Sequence, residues 1–199
     1  MKKIVLSLFV LPLLAAAAFA QESRQDVSLS GTALISPDKT AKGITQTATK
    51  GYGGLASYRF MLTPHSALEA NYQFVQKSDT YVSSFNTYTI HNRMQEYSAG
   101  YVYNFNFHNF NPFLEGGGGG YFFGAIKDFG TNTQTSKSVT DIGAFYGGGI
   151  AYELSPSFDI RAEYRGIIVK TPNLTGLDAL SVSRYYNISN PVIGIAYHF

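Results

Sequence analysis

Residues 141–166 read DIGAFYGGGIAYELSPSFDIRAEYRG, a stretch that changes character at every second position. In its second half Phe158, Ile160, Ala162 and Tyr164 alternate with Asp159, Arg161, Glu163 and Arg165. Successive side chains of a strand point to opposite faces, so one face here is apolar and the other carries four charges. A helical period would mix the two sets. The first half repeats the device, with Ile142, Ala144, Tyr146, Ile150 and Tyr152 opposite Phe145, Gly147, Gly149, Ala151 and Glu153. Between the halves Leu154, Ser155, Pro156 and Ser157 read as a short turn. Such a hairpin must hide its apolar face, either in a soluble core or against lipid with the polar face turned to a lumen.

Six further segments carry an alternating pattern: 26–36, which is the least regular, then 50–62, 67–76, 93–106, 112–126 and 185–199. Segment 50–62 sets Tyr52, Ala56, Tyr58, Phe60 and Leu62 against Leu55, Ser57 and Arg59. Segment 67–76 sets Leu68, Ala70, Tyr72 and Phe74 against Glu69, Asn71 and Gln73. Segment 93–106 sets Tyr97, Ala99, Tyr101, Tyr103 and Phe105 against Glu96, Ser98, Gly100, Asn104 and Asn106, and Glu115 lies on the polar side of 112–126. With the hairpin this makes eight segments, joined alternately by short turns (63–66, 108–111, 154–157) and longer connections (37–49, 77–92, 127–139, 171–184). Mid-strand charges fall on the parity opposite the aromatics, whereas a soluble barrel would scatter Lys and Glu over its outer positions. Charged residues are 14% of the chain and aromatics 15%, sparse charge for a water-facing surface. The expectation is an all-β, eight-stranded antiparallel up-and-down transmembrane β-barrel, with tight turns on one side and long loops on the other. Closure removes the aggregation-prone edge an open sheet would leave.

Residues 1–20 join Lys2 and Lys3 to an apolar run and an Ala-Phe-Ala ending, the layout of a secretory signal peptide. The domain reading is therefore 1–20 signal peptide and 21–199 barrel. Without Lys2 and Lys3, Lys+Arg fall from 15 to 13 and equal Asp+Glu at 13, so nothing points to nucleic acid. No cysteine is present, which excludes disulfides and a lipid-modified cysteine.

The terminal VIGIAYHF, with Ile193, Ile195, Tyr197 and Phe199 on one face, resembles the signal that outer-membrane barrels present to the barrel-insertion machinery. PFLEGGGGGYF and GGGIAYELSPSFDIRAEYR resemble the fifth strand and the sixth-to-seventh hairpin of small eight-stranded OmpA/OmpX-like outer-membrane barrels. The resemblance covers 21–199 and departs from OmpA in lacking a following peptidoglycan-binding domain. It implies an outer-membrane location and a narrow gated conductance through charged pairs, with Arg161, Arg165, Glu115 and Glu163 the first candidates.

Arg59, Glu69, Glu96, Glu115, Glu153, Asp159, Arg161, Glu163 and Arg165 form the expected lumen set. Eight strands enclose just enough room for side chains, so these charges are expected to interlock as salt bridges and plug the barrel. The carboxylates outnumber the arginines, so some are expected to be protonated or solvated.

The glycines at 116–120 and 147–149 fit no phosphate-loop pattern and read as relief of crowding in curved strands, with Tyr121, Phe122, Tyr146 and Tyr152 near enough to cover them. His65, His91, His108 and His198 show no metal-ligand spacing. A lipid-modifying enzyme of this size would want a base beside a serine, and Ser189 has Asn187 where the base would stand. No enzyme activity and no cofactor are expected. Lys50, Arg93 and Lys170 lie near loop ends on the lipid-facing parity, placed to snorkel and to meet phosphates of lipopolysaccharide. The expected partners are outer-membrane lipid and lipopolysaccharide, the insertion machinery and an extracellular ligand at the loops, bound by a monomer; a structural and surface-interaction role comes first, a narrow pore second. Of the loops, 174–180 is the moderately apolar one.

Overall fold

A computed structural model of the chain describes residues 24–41, 44–48, 50–82, 87–126, 138–170 and 185–199. The segment read as a signal peptide lies outside these. The strands are β1 (Gln25–Leu34), β2 (Lys39–Ala41), β3 (Ile44–Ala48), β4 (Gly51–Thr63), β5 (Ser66–Val82), β6 (Thr87–Asn104), β7 (Phe110–Ile126), β8 (Val139–Ser155), β9 (Phe158–Lys170) and β10 (Tyr185–His198). Eight of them close a ring in the order β1, β4, β5, β6, β7, β8, β9, β10, with β10 returning to β1, and every pairing is antiparallel. No described helix is long and apolar enough to cross a membrane.

Two connections differ from the sequence reading. The stretch 77–92 is mostly hairpin: β5 and β6 run on to pair Val82 with Thr87. Three of its inward positions are polar (Lys77, Asp79, Asn92) beside the buried Ile90, and Ser78 and Thr80 stand among its outward ones, so no apolar period marked it as strand. The stretch 37–49 contains β2 and β3, and β3 lies against the far end of β5 from Thr45–Val82 to Ala48–Asp79.

Parity sorts the wall. Outward positions expose large apolar side chains on every barrel strand, among them Leu29 at 72% and Ile142 at 84%. An apolar surface this extensive is incompatible with water and fits lipid. Inward positions are mostly buried, with a small apolar floor at the tight turns, a charged and polar middle, and a larger apolar cluster toward the long loops.

Glycine makes that interior possible at one crossing. Gly117 faces inward opposite Gly100, and the Phe145 ring lies over both: a Cβ on Gly117 would meet Ala99 O at 2.2 Å and Phe145 Cε1 at 2.8 Å. Its neighbour Gly116 faces outward, where a Cβ meets nothing nearer than Phe145 O at 3.8 Å. Gly117→Ala should therefore destabilise the refolded barrel by about 1–3 kcal/mol, the range for overpacking, while Gly116→Ala stays near wild type. Paired urea titrations in lipid vesicles check this, and equal costs at the two positions would contradict the inward crowding.

Candidate functional site

The lumen is filled by layers whose chemistry changes along each strand. At the tight-turn end Ala67, Val102 and Phe113 form a small apolar floor with Met61 packed on it. Above it lie the charges. Arg59 on β4 and Glu69 on β5 are direct cross-strand partners, with Arg59 Nη2 and Nε donating to Glu69 Oε2 at 2.6 and 2.8 Å. Asn71 donates to the other Glu69 oxygen at 2.9 Å and accepts from Ser57 at 2.6 Å. The Arg59 guanidinium lies 4.8 Å from the centre of the Phe113 ring.

A second cluster is built around Arg165, whose side chain is fully buried. Its Nη2 donates to Glu96 Oε1 at 3.0 Å, Glu96 accepts from Ser98 at 2.6 Å, and Arg165 Nε stands 3.2 Å from Glu115 Oε1 as a charge contact. The Phe145 ring covers the guanidinium at 4.3 Å. Arginine suits this position because its planar fork bonds carboxylates while its face stacks on an aromatic ring.

The third cluster joins the first strand to the last two. Arg161 on β9 donates to both oxygens of Asp26 on β1, at 2.9 and 2.8 Å, reaching past the intervening β10. Asp159 sits 3.9 Å from Arg161 and bonds His198 Nε2 at 2.7 Å.

Seven of the nine residues read as the lumen set thus stand in ion pairs, while the half-buried Glu153 and Glu163 make none among the described residues. Two of the suggested gating residues are not joined to each other: Arg161 is held by Asp26, and Glu163 has no ion partner among the described residues. Sequence reading missed Asp26 because it opens the least regular segment, whose polar positions are otherwise the uncharged Ser28, Ser30 and Thr32. It missed His198 because nothing in a terminal His-Phe points back to Asp159.

Higher still, Thr32, Gln73 and Asn190 bond one another across the lumen, Asn190 donating to Gln73 at 3.1 Å and Gln73 donating to Thr32 at 3.2 Å, with a Thr32 to Asn190 bond completing the set. Above that layer the lining turns mostly apolar. Leu34, Val75, Ile90, Met94, Tyr121, Phe123, Phe145, Ile167, Val169, Tyr186 and Ile188 form one buried apolar cluster that fills the barrel toward its long loops. Sequence reading named the charged residues of the lumen and not this layer: Phe145 and its counterparts on other strands face inward, and the width of an eight-stranded ring lets them meet in the middle. Near the cluster, Lys77, Asp79 and Asn92 form a buried polar group, with Lys77 Nζ 3.4 Å from Asp79 and Asn92 donating to the other Asp79 oxygen.

Lys50, beside β4, Arg93, on β6, and Lys170, on β9, are exposed and separated around the ring. Ser189 shares a 2.8 Å hydrogen bond with Tyr164, and Asn187 donates to Tyr146 at 2.8 Å. His65 meets the Asn104 carbonyl at 3.1 Å, and His108 takes a left-handed φ of 51° in a turn. Among the described residues no group of three or more His, Asp or Glu is arranged to hold a metal ion.

Residues 6–199 match the family model described as outer membrane protein beta-barrel domain. The chain belongs to that family. Its fold is also that of solved structures: OprG from Pseudomonas aeruginosa (12% identity over 89% of this chain and 97% of that one, TM-score 0.62) and Neisserial surface protein A (14%, 89% and 98%, TM-score 0.60). Ail of Yersinia pestis, solved with the heparin analogue sucrose octasulfate, matches at 16% identity over 88% of this chain and 96% of that one, with TM-score 0.50. No curated protein matches the sequence. The protein is therefore an outer-membrane β-barrel protein.

Within this barrel the Arg165 cluster should be the costliest to break. Arg165→Met leaves Glu96 and Glu115 buried without their cation, a loss of about 3–5 kcal/mol. Adding Glu96→Gln and Glu115→Gln to Arg165→Met should recover much of it. Urea unfolding of the three proteins in vesicles reads both numbers, and a single variant as stable as wild type would show that the cluster is not what holds this layer.

Proposed function

We propose that this protein is a monomeric, non-enzymatic structural and surface-interaction protein of the outer membrane, exported by the signal peptide at 1–20. In this reading the lumen is a plug and recognition takes place at the long-loop end. The observation that carries the reading is the buried apolar cluster from Leu34 to Ile188, which crosses the whole lumen above the charges. Ions crossing the barrel would have to shed water against Met94, Phe123 and Ile167, and a packed apolar layer gives them nothing in exchange. A gate made of Arg161 and Arg165 alone would leave that layer shut.

Several features fit a scaffold that presents its rim. Closed barrels hold loops rigidly, and recognition sites concentrate on loops carried by such scaffolds. β3 and the far ends of β5 and β6 extend the sheet past the ring and give the rim its own hydrogen-bonded base. The apolar loop 174–180, which lies outside the described residues, is the first place to look for a ligand. The exposed Ile193, Ile195 and Tyr197, with the terminal Phe199, serve as the insertion signal. Lys50, Arg93 and Lys170 meet lipopolysaccharide phosphates from three separate points of the ring.

Two measurements test this. In planar bilayers the refolded protein and its Arg161→Ala variant should both be silent; discrete steps that change in the variant would replace the plug with a charged pore. Lipopolysaccharide should raise the melting temperature of the wild type in vesicles, and the Lys50→Ala, Arg93→Ala, Lys170→Ala triple variant should lose most of that rise. An undiminished rise would remove the three cations from the binding role.

A further inference from the structure

Two outward carboxamides of the barrel wall stand in the same relation to a cation. On β6, Arg93 and Gln95 are successive outward residues, with Gln95 the one nearer the tight turns. On β10, Tyr185 pairs with Lys170 of β9, and the next outward residue toward the tight turns is Asn187. Two residues of strand span about 7 Å. Each carboxamide therefore lies one such step deeper in the wall than a cation at the long-loop end.

The two are also held alike. Gln95 Nε2 donates to the Tyr72 hydroxyl at 3.2 Å, and Asn187 Nδ2 donates to the Tyr146 hydroxyl at 2.8 Å. In both cases the tyrosine comes from another strand. Tyr146 reaches Asn187 across β9 by lying over Gly166, where a Cβ would meet its Cζ at 2.5 Å and its hydroxyl at 2.7 Å. The glycine clears the track this ring needs. Beside each amide stands an exposed apolar side chain in register, Phe122 beside Gln95 and Ile168 beside Asn187.

This arrangement leaves one group over at each place. The tyrosine fixes the amide nitrogen, and among the described residues the carbonyl oxygen of neither amide accepts a hydrogen bond. Asn187 is exposed and Gln95 half-buried, on the face that meets lipid. An acceptor without a donor in apolar surroundings costs free energy, and a polar side chain kept there points to a binding role. The ester linkages of a common phospholipid cannot satisfy it, because an ester carbonyl only accepts. A lipid whose acyl chains are joined through amides or carry hydroxyls brings the N–H or O–H that it lacks.

We propose that the outer wall carries two sites for a phosphorylated lipid with amide-linked or hydroxylated acyl chains, one made by Arg93, Gln95 and Tyr72 and the other by Lys170, Asn187 and Tyr146. The cation takes the phosphate. One step deeper the amide carbonyl accepts from the N–H or O–H at the head of an acyl chain, and that chain lies against Phe122 or Ile168. Lipopolysaccharide, which combines phosphates with such chains, is the occupant. The inference rests on the reading of Arg93 and Lys170 as phosphate contacts and adds to it a selector for the linkage beneath.

Two probes share a phosphate monoester and differ beneath it: ceramide 1-phosphate has an amide N–H and a hydroxyl, and phosphatidic acid has esters alone. Each is mixed at equal fraction into phosphatidylcholine vesicles holding the refolded protein, and the melting temperature is compared with that in plain vesicles. Ceramide 1-phosphate should raise it clearly more than phosphatidic acid does. In the Gln95→Leu, Asn187→Leu double variant the two rises should become equal, at the level phosphatidic acid gives the wild type, and the rise with lipopolysaccharide should shrink with them. Where that variant does not refold, Tyr72→Phe with Tyr146→Phe removes the hydroxyls that position the amides and should shrink the same difference. Equal rises in the wild type, or a difference that survives in the variants, would overturn the inference. The Lys50→Ala, Arg93→Ala, Lys170→Ala variant should lower both rises and keep their order. If it left both rises intact with the difference still present, the phosphate contacts would fall and the amide selector would stand.

Discussion

Hydrocarbon offers no hydrogen bonds, so a sheet that crosses it must pair every backbone N–H and C=O within itself, and here that depends on β10 meeting β1. The ladder runs from Asp26–His198 to Thr32–Val192, breaks, and is resumed by a bridge between Ile35 and Ser189. The break falls at Pro191, which has no N–H to give. Two side-chain links span the same seam. Arg161 grips Asp26 at the tight-turn end, and Thr32 bonds Asn190 beside the break and reaches toward the Pro191 carbonyl at 3.4 Å. The register of the last strand is thus fixed by inward side chains as well as by backbone, and a one-residue slip would turn Asn190 and Ala196 out to lipid.

Once the ring is closed, its width dictates what the inside can be. The lumen of eight strands is a core, with the packing demands of a core. Charges there need partners, and the structure supplies them locally: Arg59 from the adjacent strand, Arg165 from β6 and β7, Arg161 from β1. Inward glycines on β6, β7 and β8 clear space, and Phe145 and Tyr121 use it. The result is a layered interior, with most ion pairs below, an apolar cluster above and the buried Lys77–Asp79 pair beside that cluster.

The barrel was readable in the sequence because a membrane makes both halves of the alternation explicit. Phe158 to Arg165 alternates rings and aliphatics with charges, and no soluble surface would tolerate the first set outside. Reading failed where that contrast is weak. Lys77, Asp79 and Asn92 sit on strands whose outward neighbours are Ser and Thr, so they passed for loop. Asp26 was hidden among small polar residues. The apolar upper lumen went unread because period two assigns faces and says nothing of how far a face reaches across the ring; Val75, Met94 and Ile167 meet only through closure. Pair identities were equally out of reach, since Asp26 and Arg161 are joined across a third strand that sequence spacing cannot place between them.

The extension of β5 and β6 bears on how a rim of this kind recognises anything. A ligand that must order a free loop pays conformational entropy against its binding energy, residue by residue. Here the segments nearest the loop end are already in register, Ser78 with His91 and Thr80 with Thr89, and β3 is paired along the same edge. Their backbone is fixed before any ligand arrives. Beneath them the buried Lys77, Asp79 and Asn92 and the apolar cluster give that base a solid floor. A hollow barrel of the same width would let the rim breathe; a filled one transmits the rigidity of the wall to the surface it carries. The apolar cluster of Leu34, Val75, Met94 and Ile167 thus backs the wall directly beneath the extended ends of β5 and β6.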